Sequence, residues 1–74
     1  MNTLTQIALP VQPLLRSTLA RRAAAYAQIE AARTIENWDY AEEQLAAIVM
    51  LVPPAQRRSF HALVGEARSS RRAA

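Results

Sequence analysis

Ser59 and His61 come nearest to covalent chemistry in this sequence, since a hydroxyl activated by an imidazole is the heart of acyl-transfer catalysis. Their spacing defeats it. Two residues apart on a helix, they point to different sides, and no carboxylate lies beside His61 in sequence to orient the ring. Glu42 and Glu43 are adjacent but face apart on a helix, so paired-carboxylate catalysis needs a second acid from elsewhere. There is no cysteine, and one imidazole cannot supply the three or four ligands a metal wants. Glycine-rich phosphate loops and nucleotide fingerprints are absent, so the expectation is a protein that is not an enzyme, with no catalytic residues, metal or cofactor.

Recognition chemistry is better represented. Tyr26, Trp38, Tyr40 and Phe60 are the only aromatic residues. In a short chain aromatics are mostly core, and Trp38 reads that way, whereas Tyr40, off the apolar stripe and next to Asp39, is the better contact residue. Arg21 with Arg22, Arg57 with Arg58, and Arg71 with Arg72 form basic pairs, and lysine is absent. Arg16, Arg21 and Arg22 have no acid three or four residues away to neutralise them. Charge is segregated. Residues 1–34 and 51–74 are net basic, while residues 35–50 hold Glu36, Asp39, Glu42 and Glu43 and no base, within a total of +3. An acidic middle between basic ends suits antiparallel helix packing, within a chain or across a two-fold axis. The residues expected to meet a partner are Tyr40, Glu36, Asp39, Glu43, Arg21, Arg22, Arg57 and Arg58. His61, next to Phe60, reads as an edge or surface residue.

These groups have to be positioned by helices. One glycine, Gly65, and prolines only at 10, 13, 53 and 54 leave two long stretches without strong breakers. Pro10 and Pro13 make residues 1–12 an extended, flexible arm. A first helix is expected over about 13–34, with Pro13 in its first turn and Leu15, Leu19, Ala23, Tyr26 and Ile29 as its stripe. A second stripe, Ile35, Trp38, Glu42, Leu45, Ile48 or Val49 and Val52, runs out of phase with the first, which predicts a break near Asn37. Asp39 with Glu42 can form a capping box opening a helix over 39–51; one bent helix is the rival. Pro53-Pro54 ends that helix and opens a third over 54–65, with Phe60, Leu63, Val64 and Ala67 inward and Gly65 as cap or close contact. Residues 69–74 read as a frayed basic tail.

At 74 residues the chain forms one domain with a thin core, 13–68, and chains of this size commonly lean on a partner subunit, here a homodimer. No apolar run approaches the roughly 20 residues that span a bilayer, and the first residues lack a secretory pattern, which places the protein in the cytoplasm; an organelle transit peptide is the rival reading of the acid-free first 29 residues.

The stretch Ile7-Ala-Leu-Pro-Val-Gln-Pro-Leu-Leu-Arg-Ser-Thr-Leu19 resembles the strand and first-helix start of ribbon-helix-helix repressors. The resemblance covers thirteen residues and implies an arm strand pairing across a dimer, with Thr3, Thr5 and Gln6 toward bases and Arg16 or Arg21 near phosphates. The family's short first helix and tight turn are missing. Ala41, Leu45, Ile48 and Pro53 are similar in spacing to the second helix of a tetratricopeptide repeat, but this is half of one repeat and the preceding helix does not match.

The expectation is therefore an all-α hairpin or small bundle of two or three helices, with an extended N-terminal arm and a basic C-terminal tail. Its expected function is that of a small regulatory binding protein, an inhibitor or adaptor occupying a surface of a larger protein. The alternative is a dimeric DNA-binding regulator using the arm and arginines.

Overall fold

The computed structural model describes residues 12–73. The arm expected over 1–12 lies almost wholly outside them, as do the strand and base-reading positions implied by the ribbon-helix-helix resemblance. Three α-helices make up the described chain: α1 (Arg16–Ala31), α2 (Trp38–Met50) and α3 (Arg57–Ala73), with a single 3-10 turn at Pro54–Gln56 before α3. No strand occurs among the described residues, and the protein is an all-α small bundle.

α1 starts three residues later than its proline suggests, for a tertiary reason. The side-chain amide of Gln56 accepts from the Leu14 backbone N–H at 2.9 Å and donates to the Leu14 carbonyl at 3.1 Å. Leu14 is thereby held as a strand partner would hold it, and Leu15 stays extended at φ −61°, ψ 149°. α1 ends at Ala31, before the expected boundary, because Asn37 closes the loop that follows. Its Oδ1 accepts from the Thr34 N–H at 2.6 Å and its Nδ2 donates to the Ala32 carbonyl at 3.2 Å. The break near Asn37 is as expected, but the capping box is not what makes it: Asp39 sits inside the first turn of α2, where its charge suits the helix dipole.

Two pairs of contacts fix the topology. Leu14 meets Gln56 and Glu30 meets Arg68, so α1 and α3 run parallel. Arg33 meets Glu42 and Val52 joins Leu19 in the core, so α1 and α2 form an antiparallel hairpin. α1 packs more extensively on α3 than on α2. The core is Leu19, Ala23, Val52, Phe60, Leu63 and Val64, with Leu14, Tyr26, Ile48 and Val49 against it; Ala27, Ala41, Leu45 and Pro53 are the other buried residues among those described. Phe60 is fully buried, and the edge of Tyr26 meets its ring at 5.6 Å between centroids and 90° between planes.

Several inward assignments need correction. Leu15 is 73% exposed because the Gln56 clamp keeps it outside the helix, and Ala27 is buried where Ile29 is only partly so. Ile35 is 93% exposed in the loop. Trp38 is half exposed: it opens α2 beyond the end of α1, where the Arg33 guanidinium stacks on its ring at 4.3 Å in place of an apolar helix face. Gly65 neither caps α3 nor makes a close contact, since nothing lies within 4 Å of where a Cβ would stand. Residues 69–73 are helical and continue α3 past its expected end at 65. Arg68 donates Nε and Nη2 to the two oxygens of Glu30, both at 2.7 Å, and this fork holds the C-terminal half of α3 on α1. Arg71 and Arg72 then fall in the last turn of α3, where cations face the negative helix end.

Candidate functional site

α2 is the most apolar helix and the least enclosed. Only Ala41 and Leu45 on it are buried, with Val52 just beyond its end. At about 100° per residue these share one side of the helix; Glu43 and Met50 point directly away from it, and Tyr40, Ala47 and Leu51 form a stripe on the adjoining flank. Tyr40 is 65% exposed, Met50 74% and Leu51 59%, and Ala46 and Ala47 are also exposed. A second apolar stripe thus runs along an exposed flank of α2.

Glu36, Asp39 and Glu43 flank the N-terminal half of this face, all exposed, and none has an ion-pair partner among the described residues. Glu42 is different. It bonds Arg33 across the hairpin, which explains the polar position within the inward stripe of α2. At the other end, Arg57 donates Nε to the Val52 carbonyl at 3.3 Å, which holds its charge against the C-terminus of α2, and Arg58 beside it is exposed. Six of the eight expected contact residues therefore border α2: Tyr40, Glu36, Asp39 and Glu43 around its start, Arg57 and Arg58 past its end.

Arg21 and Arg22 are elsewhere. With Thr18 and Ala25 they line an open groove of about 290 Å³ on α1, and Arg22 Nε is buried without a hydrogen-bond partner. A larger groove of about 390 Å³ lies between the C-terminal halves of α1 and α3, over Ala27 and Ala31, rimmed by Arg33, Arg68, Arg71 and Arg72. Glu30 lies in it, and its hydrogen bonds from Arg68 hold the carboxyl below the usual glutamate range against the opposing effect of burial. Arg68 is correspondingly raised, chiefly by the same hydrogen bonds. Two of this groove's four cations are already matched by Glu30 and Glu42, and the negative ends of α1 and α3 face it, so it is a weak anion site.

Ser59 and His61 are both exposed, and His61 sets its ring edge-on to Phe60 at 5.3 Å. Among the described residues, no three His, Asp or Glu side chains gather as metal ligands, and no helix is long and apolar enough to cross a membrane.

No family model, curated protein or solved structure matches this chain. Sequence reasoning missed Ile35, Met50 and Leu51 as exposed apolar groups. Helical periodicity places Ala47 and Leu51 on one stripe with Tyr40, but it does not tell whether a neighbouring helix covers that stripe.

Proposed function

We propose that this chain is a small, non-enzymatic regulatory binding protein, an inhibitor or adaptor that covers a surface of a larger protein with the outer face of α2. The observation that supports this reading is the pairing of exposed Ile35, Tyr40, Met50 and Leu51 with a one-signed border of Glu36, Asp39 and Glu43. Apolar anchors supply affinity, and unpaired carboxylates select a basic surface and steer the approach. The target is therefore a protein presenting apolar residues edged by Lys or Arg. In this reading the chain acts from the cytoplasm, by steric occlusion or bridging.

A second reading, as a nucleic-acid binder, is favoured by one observation: Arg16, Arg21, Arg22, Arg57, Arg58, Arg71 and Arg72 have no carboxylate partner among the described residues. They are distributed over several sides of the bundle, which argues against one phosphate track.

One experiment separates the two. The immobilised chain is offered cell extract, and a labelled random duplex is titrated with it at about 50 and 200 mM salt. The protein-binding reading expects a captured protein that is lost with Tyr40→Ala or with Asp39→Ala/Glu43→Ala and kept with Arg21→Ala/Arg22→Ala. Micromolar duplex binding that collapses at the higher salt and disappears with the arginine pair would replace this reading with the other.

A further inference from the structure

We infer that, in the absence of a larger target, the outer face of α2 is covered by a second copy of the chain, its α2 antiparallel across a two-fold axis near Ala47. This rests on the reading of that face as a protein-docking surface and names one partner for it.

Self-pairing across a two-fold axis demands a surface that complements itself when reversed. The α2 face meets this condition in shape and in charge. Ala47, small and exposed, lies at mid-face, where two helices must approach most closely, and Tyr40 and Leu51 lie to either side of it. An antiparallel crossing at Ala47 sets Tyr40 level with the partner's Pro54 and within one turn of the partner's Leu51, and the reverse. The same operation brings Glu36 and Asp39 toward the partner's Arg57, whose charge is held at the far end of α2 by its bond to the Val52 carbonyl. A parallel pairing would set acids against acids and align the two helix dipoles unfavourably, so charge selects the antiparallel form. The chain also has a reason to pair. Ten of the described residues are buried, of which Ala23, Ala27 and Ala41 contribute little area, while larger apolar side chains on α2 face outward.

Sedimentation of the full chain over a dilution series tests this. The expected result is a species of twice the 8.2 kDa chain mass at high concentration that dissociates on dilution. Ala47→Glu places two like charges together at the axis and should weaken dimerisation more than tenfold. Because Ala47 is exposed, this variant should keep the helical circular dichroism and melting behaviour expected of a folded monomer. Ala47→Cys, in a chain with no cysteine, should oxidise to a disulfide-linked dimer, whereas Ala24→Cys on the exposed side of α1 should not. A chain that stays monomeric throughout, or a dimer indifferent to Ala47→Glu, would overturn the inference. If the chain is monomeric yet captures a protein through Tyr40, the docking face stands and only the self-pairing falls. If it pairs as described but captures no protein, the self-pairing stands and the regulatory reading falls.

Discussion

The parallel pair α1 and α3 and the outlying helix α2 solve the same problem differently. Between α1 and α3, Leu19, Ala23, Phe60, Leu63 and Val64 are buried, Tyr26 closes on Phe60 by an edge contact, and polar clamps sit at both ends. α2 has the larger share of apolar residues but encloses only Ala41 and Leu45, leaving Tyr40, Met50 and Leu51 in water. Apolar composition and burial have been separated. A helix whose apolar residues exceed what its own bundle can cover has surface to offer, and that is the basis for assigning recognition to α2 and stability to the other pair.

Truncation of the two cores is the strongest way to break this comparison. Phe60→Ala removes the only fully buried aromatic side chain and should cost about 3–5 kcal/mol, enough to unfold so small a chain, as thermal or urea melting would show. Leu45→Ala should cost less, near the ~2 kcal/mol end of the range for Leu truncations, since its surroundings on α2 are thinner. Hydrogen exchange sharpens the point. Amides of α2 should exchange faster than those of α1 in the monomer and gain protection at concentrations where chains pair. If Leu45→Ala proves the more damaging of the two, α2 and not the α1–α3 pair carries the stability of the bundle.

A smaller change in the opposite direction tests α3. Gly65 sits inside a continuous helix, its φ is not positive, and no atom would meet an added Cβ. Gly65→Ala should therefore stabilise the protein by about 0.5–1 kcal/mol, raising the melting temperature while leaving association through α2 unchanged. Loss of stability would mean that α3 needs a hinge at that position.

The element count, the break near Asn37, the end of α2 at the proline pair and the inward face of α3 were all legible from helical periodicity and breakers. What was not legible depended on single long-range bonds. The start of α1 is set by Gln56, forty-two residues away, and the persistence of α3 past Gly65 is supported by the fork from Arg68 to Glu30, thirty-eight residues away. Local propensity contains neither partner. Trp38 was misassigned because a stripe shows which residues share a side of a helix, not how far the neighbouring helix extends beneath them. For the site, Tyr40 and the acids could be read from their departure from the stripe. Met50 and Leu51 could not, because an apolar residue in an apolar helix reads as core until its neighbours are known.

The smallest expected effect concerns the clamp that carries α3 beyond Gly65. Glu30 titrates below its ordinary value in the folded chain, so the unfolded chain binds its proton more readily than the folded one does. The clamp's contribution is present in full above the ordinary glutamate range and fades as pH falls through the lowered folded value. Both groups are partly solvated, with about a quarter of the Glu30 side chain and under half of Arg68 exposed, so the contribution is below about 1 kcal/mol. Glu30→Gln should remove it at neutral pH and flatten the acid limb of the stability curve. The loss should be concentrated in hydrogen exchange of the last two turns of α3, leaving those of α2 unaltered. An acid limb identical in Glu30→Gln and the native chain would show that α3 is held to Ala73 by its helix propensity and Arg71–Arg72 charge alone, and that the ion pair is incidental.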